Sequence, residues 1–491
     1  MARSVAWSYL GAASEVIAGL VLIGYIVRRI SVAEYGLLLL AISLGSLTYL
    51  LDLGLENLLV QGYVEAASDS LSSVTILLST AFTTLTLIGL IGGGGMAAFA
   101  LLLPGPFNIP KEYVGEAIAI FVLVGISTAV GFPTIALNLA FEAFQRFDRI
   151  NQLQALLAVL RVVLTVVLLA RGYGVVALAV IHVVLALTRL LVLAAALHWS
   201  IPGVRLDLLD FDWRRIRPLL SLGGWSALDN ISRQVASSSD SFILGVFGPV
   251  ASVAIFGLGN KLPAQLSNLV IRGAGVILPS LAQHHADADK PRLRNLFLHA
   301  QRLVVTGALP VVVLGCVCAR PLIQVWAGSA YVGAVPVMQW LLLAALSMAL
   351  EYSAGLLLYA CGEVKRASLI TTVASVANLL VSLMLVFRYG AVGLAAGTAL
   401  THVMINVFWY TPSACRTAGI SFSELMRIVF AGQAATLSLL CVEALLLFLL
   451  PRVLSPLGTV IVGIIFGVSY LALWSVKTVI PLRRMPVEAA D

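Results

Sequence analysis

The sequence predicts an all-α, polytopic membrane protein. About 14 transmembrane helices are expected, in two six-helix lobes around a central cavity, with a C-terminal helix pair. Three observations predict this class. Of 491 residues, 60% are hydrophobic and only 11% charged, too few charges to clothe a soluble protein of this size. Mean hydropathy is +1.03. Apolar runs of about 20 residues recur from end to end, each long enough to cross ~30 Å of hydrocarbon. A β-barrel would show short alternating segments instead.

Taken in order, charges, Pro/Gly clusters and turn signals delimit spans at 5–27, 36–58, 73–103, 115–140, 152–170, 175–198 and 219–246. They continue at 250–280, 303–325, 334–360, 367–387, 391–411, 427–450 and 457–476. The opening MARSVAWSYLGAASEVIAGLVLIGYIV reads as a retained first span rather than a cleavable signal. Its apolar stretch is too long, and no small-x-small site precedes a polar region. GGGG at Gly92–Gly95 permits bending or close helix approach in span 3. Pro133, Pro263, Pro310 and Pro336 are candidate kinks.

Lysine and arginine orient the spans. With the N-terminus inside, inner loops hold 18 of the 30 and outer loops only 7. That bias predicts both termini in the cytoplasm and requires an even number of spans. The expected organisation is an N-lobe at 1–200, a cytoplasmic linker at 201–218, a C-lobe at 219–412, and a helix pair with tail at 413–491. The linker carries Leu206, Leu209, Trp213 and Ile216 among charges, which suits an interfacial helix or a solvated connector. The net charge of +7 belongs to this topology and gives no reason to expect nucleic acid. Five cysteines lack CxxC spacing, so neither a disulfide framework nor a metal site is expected. QHHADADK (Gln283–Lys290) reads as a solvated loop rather than a metal site. No Walker A motif is present, and no cofactor is implied.

Internal similarity suggests two copies of a six-span unit. ARGYGVVAL (Ala170–Leu178) resembles FRYGAVGL (Phe387–Leu394) at an offset of 216. AFQRFDRIN (Ala143–Asn151) resembles ACGEVKRAS (Ala360–Ser368) at 217, and EYGLL near Tyr35 resembles IFGLG near Phe256 at 221. An even number of spans per copy gives both copies the same orientation. Repeats related that way build transporters with a central cleft.

Charges inside the spans carry the functional reading. Helical positions 4, 7 and 11 apart share a face. Asp229, Arg233 and Asp240 therefore line one stripe of span 7, and Lys261, Gln265, Asn268 and Arg272 line one of span 8. Lys261 and Arg272 would sit roughly 16 Å apart along the axis. Glu15 lies in span 1, Asp52 and Glu56 share a face of span 2, and Arg161, Arg189, Glu351 and Glu443 complete the set. A lipid-facing charge is costly, so these side chains must face protein or water. Asp229 and Arg233 also suit an intrahelical ion pair, and both readings stay open. Arg233, Lys261 and Arg272 are candidate ligands for a phosphate or pyrophosphate. Glu15, Asp52, Asp229 and Asp240 are candidate cavity acids or coupling-ion ligands.

RRISVAEYGLLLLAISLGSLTYLLDLGLENLLVQ (Arg28–Gln61) resembles the first two helices of bacterial polysaccharide flippases. The matching parts are the EYG turn after span 1 and the DLGLENLLVQ end of span 2. RGYGVVALA between spans 5 and 6, repeated as RYGAVGLAAG, is similar too. Those proteins belong to the multidrug/oligosaccharidyl-lipid/polysaccharide exporter superfamily. The resemblance implies a transporter, not an enzyme, with 12–14 helices in two lobes and alternating access. It implies movement of an undecaprenyl-pyrophosphate-linked oligosaccharide, of the kind used for lipopolysaccharide, to the outer leaflet of the cytoplasmic membrane. The implied partners are the lipid-linked oligosaccharide and membrane lipids, with H+ or Na+ and the polysaccharide polymerase machinery as candidates. The alternatives are a multidrug cation antiporter of the same superfamily, or a lipid II flippase. Lipid II flippases carry arginines in span 1, where this chain has Glu15. A polymerase or ligase would need a large outer loop, and no loop exceeds about 20 residues.

Overall fold

A computed structural model describes residues 19–52, 55–102, 107–207, 210–215, 224–275, 277–431, 433–450 and 454–476. Side chains at 52, 55–57, 224–227, 229, 230, 237 and 272–274 lie outside that description. The described residues are helical, with one isolated bridge, between Asn108 and Pro249, in place of a sheet. The chain forms two compact units, Met1–Ala254 and Ile255–Asp491.

The first unit contains α1 (19–27), α2 (Val32–Thr48), α3 (Leu55–Asp69), α4 (Leu71–Ala100), α5 (Val114–Ala143), α6 (Phe147–Ala170), α7 (Val175–Ser200) and α8 (Gly224–Phe247). The start of α9 (Val250–Gly259) also belongs to it. The second holds α10 (Lys261–Gly275), α11 (Leu278–Ala286), α12 (Lys290–Val317), α13 (Ala319–Trp326) and α14 (Ala334–Ala360). Then come α15 (Val364–Ile405), a π-helical turn at Asn406–Tyr410, α16 (Thr411–Thr417), α17 (Phe422–Phe430), α18 (Ala434–Leu449) and α19 (Pro456–Trp474).

Nine helices among the described residues are long and apolar enough to cross a membrane, and a bent pair, α17 with α18, raises this to ten. The difference from about 14 predicted spans has specific causes. The run from α15 to α16 counts as one helix but holds two predicted spans, because the chain turns at Gly390 (φ 55°) without losing helical hydrogen bonding around it. Span 1 lies mostly outside the described residues. Span 7 is helical as α8 but carries three charges. Span 8 is broken at Asn260 into α9 and α10. Pro263 lacks the N–H that would bond the Gly259 carbonyl, so the break sits where the ladder fails. Large apolar side chains such as Ile91, Val159, Met384 and Phe387 point outward, as expected for helices bathed in lipid.

Small residues set the first unit's packing. A Cβ on Gly93 would fall 2.3 Å from the Gly125 carbonyl oxygen, and one on Gly125 would fall 2.6 Å from that of Gly93. α4 and α5 therefore touch backbone to backbone, the use of small residues expected where lipid supplies no hydrophobic drive. Gly94 and Gly95 face open space, so only part of the GGGG run serves packing. In the EYG turn, Ser31 and Glu34 form a capping box on α2. A Cβ on Gly36 would meet the Val250 carbonyl oxygen at 2.2 Å. The linker runs along α4: the amides of Arg205, Asp207 and Asp212 donate to the hydroxyls of Thr75, Ser79 and Thr80.

In the second unit α12 packs on α14, and Gln301 donates across to the Leu350 carbonyl at 3.0 Å. The C-terminal pair docks on α12. Tyr470 donates its hydroxyl to the Thr306 carbonyl, and the Trp474 indole donates to the Thr306 hydroxyl at 2.8 Å.

The turns after α5 and α14 share a backbone cap that also closes α6, α11 and α16. At the end of α5, the amides of Phe144, Gln145 and Arg146 donate to the carbonyls of Ala140, Glu142 and Phe141. At the end of α14, 217 residues later, Cys361, Gly362 and Glu363 donate to Leu357, Tyr359 and Leu358. Both turns use a left-handed residue, Gln145 at φ 56° and Gly362 at φ 76°. Only the second copy has glycine there. The left-handed region costs a non-glycine residue about 1–2 kcal/mol, partly offset by the entropy glycine loses on folding. Gln145→Gly should therefore stabilise the protein by about 0.5–1 kcal/mol, and Gly362→Gln should destabilise it. Thermal unfolding of both variants in detergent checks the sign.

The turn at Gly362 also holds a polar clasp. Glu363 accepts from Arg366 and from the Thr417 hydroxyl, each at 2.9 Å. Partial burial pushes the Glu363 carboxyl up, but hydrogen bonds from Arg366 and Thr417 and the guanidinium charge outweigh it and hold the carboxyl below its usual range. A depressed carboxylate stabilises the fold above the unfolded-state pKa and loses that contribution as pH falls through its folded value. Glu363→Gln should lower stability at neutral pH and remove part of the acid-side loss. Melting curves of both forms from pH 7 to 3 test this.

Candidate functional site

The polar residues of three helices in the first unit recur at helical spacing. On α5 they are Ser127, Thr134 and Asn138, with Gly131 between them. α6 contributes Gln154, Ala158 and Arg161, and α7 contributes His182, Ala186 and Arg189. Positions 4, 7 and 11 apart give each helix one polar stripe. Packing turns the three stripes toward one another around a cavity of about 610 Å³, which Tyr49 and the α1 residues Gly19 and Leu22 also line. That volume suits a small-molecule ligand or headgroup.

Local structure fixes the walls. Tyr49 stacks on Phe132 with ring centroids 4.9 Å apart. Its hydroxyl lies where a Cβ on Gly131 would be, 2.7 Å away, so glycine at 131 admits the ring. Pro133 follows, and α4 crosses at the carbonyl it leaves without a helical donor: a Cβ on Gly89 would meet the Ala129 oxygen at 2.7 Å. On the other face of α5, Tyr63 donates to the Ala136 carbonyl at 3.3 Å.

The cavity is cationic. Arg161 and Arg189 line it, His182 interacts electrostatically with Arg161, and no carboxylate stands among its described lining residues. Glu142 is the acid whose charge Arg189 senses, and it lies one turn beyond Asn138, outside the lining. One polar atom is left over: the buried Asn138 Oδ1 accepts no hydrogen bond from the protein.

Three of the sequence-predicted residues have described side chains, and none lines this cavity. Arg233 is half-buried on α8 and has a partner. Asp240 is buried on the same helix, in the first unit. Lys261 is the first residue of α10, in the second unit. The α10 backbone carries Arg272, but its side chain lies outside the described residues, as do those of Asp52 and Asp229 and the whole of Glu15. Part of the polar content of α8 serves packing on α2: the Gln234 amide donates to the Ser46 carbonyl at 3.0 Å and to Ser238. Two other acids inside spans are engaged locally. Glu351 accepts from Asn406 at 3.1 Å with His402 beside it at 3.7 Å, and Glu443 accepts from Ser469.

Arg161 and Arg189 stand out in the sequence as charges within spans, but not as partners. Gln154 and His182, each seven residues before an arginine, complete the same spacing that marks α8 and α10, and were the available signal.

The model of a family described as polysaccharide biosynthesis protein matches residues 26–336, well over half of the chain. The chain belongs to the polysaccharide biosynthesis protein family. Solved structures show the fold of this family member. It is similar to a lipid II flippase, MurJ, in an inward closed conformation, with a TM-score of 0.74 and 12% identity over 95% of this chain and 98% of that one. An inward-facing multidrug resistance MATE transporter of the MOP superfamily aligns with a TM-score of 0.65 and 15% identity over 85% of this chain and 95% of that one. A Vibrio cholerae MATE transporter, VcmN in a mutant form, gives a TM-score of 0.52 and 16% identity over 86% of this chain and 95% of that one. A comparison with curated protein sequences gives no match. The polysaccharide biosynthesis chain is thus a multi-pass membrane protein with a transporter fold.

Proposed function

We propose that this protein is a flippase for an undecaprenyl-pyrophosphate-linked oligosaccharide. It moves the headgroup from the cytoplasmic to the outer leaflet of the bacterial cytoplasmic membrane by alternating access, with both termini in the cytoplasm. One observation carries the reading: the cavity inside the first unit presents two arginines, and no carboxylate among its described lining residues. Such a lining attracts an anionic headgroup and repels a cationic drug. The family supplies the polysaccharide context, and transporters of this fold are known in inward- and outward-facing states.

In this proposal Arg161 and Arg189 hold the pyrophosphate in the first unit. Arginine suits that task because it binds phosphate bidentately and stays charged when desolvated. Arg233, Lys261 and Arg272 are proposed as further headgroup contacts, and Glu15, Asp52, Asp229 and Asp240 as ligands for a coupling H+ or Na+. The prenyl chain stays in lipid, so only the polar end needs a wet path. A multidrug antiporter is the second reading, favoured by the MATE likeness, which shows fold alone.

The test is a flipping assay in proteoliposomes with a polyprenyl-pyrophosphate sugar, scored by leaflet accessibility. A hydrogen bond to a charged group is worth roughly 1.5–3 kcal/mol, so Arg161→Gln with Arg189→Gln should slow flipping by at least tenfold. Lys261→Ala with Arg272→Ala should do the same. Wild-type transport of a quaternary ammonium dye without sugar-lipid flipping would establish the second reading instead.

A further inference from the structure

We infer that one end of the second unit is a docking surface for anionic phospholipid, built around α17. The inference does not use the cargo reading. It follows from which charges in three turns are already paired and which are left exposed.

The α14–α15 turn meets α16, and α12 meets α17, at that end. Thr417 of α16 donates to Glu363 in the α14–α15 turn at 2.9 Å, and Arg294 near the start of α12 binds Glu424 of α17. The acids of this end are mostly engaged. Asp289, in the α11–α12 turn, caps α12 and pairs with Arg292 at 3.4 Å, Glu363 binds Arg366, and Glu424 binds Arg294. Among the described residues of these turns, Asp287 is left against four exposed cations, Lys290, Lys365, Arg416 and Arg427. Lys290, Arg416 and Arg427 have no ion-pair partner among the described residues.

The form of α17 gives this charge its setting. Leu425 and Val429, four residues apart, are buried on one face, whereas Ser423, Arg427 and Phe430 share the opposite, exposed face. α17 is bent 75° from α18, and α18 packs on α19, which is long enough to cross a membrane. α17 therefore lies close to the plane of the bilayer surface. A helix placed there with an arginine beside an exposed phenylalanine suits the lipid interface, ring toward the acyl chains and guanidinium toward phosphate.

The general excess of cations in inner loops does not by itself produce this arrangement. In the first unit's linker, Arg205, Arg214 and Arg215 stand among as many acids, Asp207, Asp210 and Asp212. In the second unit the acids are taken up by arginines and the surplus is positive. An acidic soluble protein would neutralise that surplus and leave Phe430 to be covered by something else. An anionic phospholipid supplies both the phosphate and the apolar chain.

The experiment uses the full chain in nonionic detergent, titrated calorimetrically with dioctanoyl phosphatidylglycerol and dioctanoyl phosphatidylcholine. Phosphatidylglycerol should bind roughly tenfold more tightly, and the difference should shrink as sodium chloride is raised. Lys290→Gln combined with Lys365→Gln, Arg416→Gln and Arg427→Gln should erase the preference without changing the melting temperature of the lipid-free protein. Arg416→Gln with Arg427→Gln alone should reduce it roughly fivefold, and serves where the fourfold variant does not fold. Phe430→Ser should weaken both lipids alike and keep the preference. Arg205→Gln with Arg214→Gln, and Arg161→Gln with Arg189→Gln, should leave it intact. Equal affinity for the two lipids, an undiminished preference in the Arg416 and Arg427 variant, or loss of the preference in either of the last two pairs would overturn the inference.

Discussion

An arginine at the centre of a bilayer costs about 2.5–3.5 kcal/mol on an insertion scale unless water, a counter-charge or a ligand meets it. α6 and α7 each carry one, and both helices otherwise present leucine and valine to their surroundings. In the first unit both side chains line one cavity. Their helices must turn one face each away from lipid, and a third helix must close the space between them. α5 does so, with a stripe of polar residues instead of the apolar face a packed core would use.

That closure depends on backbone contacts rather than on side-chain volume. Glycines 93 and 125 bring α4 against α5 at a separation no side chain permits, and Gly89 brings α4 to the carbonyl opposite Pro133. Gly131 then leaves room for Tyr49, whose ring lies flat on Phe132 and blocks one side of the cavity. Glycine is weak in an isolated helix, yet in lipid it is what permits the close approach. The same economy governs the EYG turn, where Glu34 caps α2 and Gly36 admits the start of α9.

Most of the fold was legible because hydrocarbon thickness imposes a length on every span and apolar runs reveal it. Breaks were less legible. Residues 250–280 read as one span because its apolar residues continue past Asn260, whereas the interruption comes from the backbone hydrogen bond that Pro263 cannot make. The internal repeat was visible only as a few matched residues, Ala143 with Ala360 and Arg149 with Arg366. The backbone cap shared by those two turns does not strengthen it, since the same three hydrogen bonds with a left-handed residue also end α6, α11 and α16. At the cavity, charge was legible and company was not. Arg161 and Arg189 announce themselves in apolar helices, but Asn138, Gln154 and His182 are common enough residues to pass as packing. What joins all five is the docking of α5 and α6 against α7, which no local pattern encodes.

The sign of the first unit's cavity is set by few residues. The helices of the first unit, held by glycine contacts, leave a cavity whose sign is decided by a few side chains, while the helices that frame it need only be apolar outside. In this chain the stripes that line it carry guanidinium groups on α6 and α7, and on α5 hydroxyls already bonded to backbone carbonyls. A cation would meet two like charges and gain only lone pairs in return. Such a preference costs the framework little, because Arg161 and Arg189 lie on α6 and α7, apart from the glycine contacts between α4 and α5.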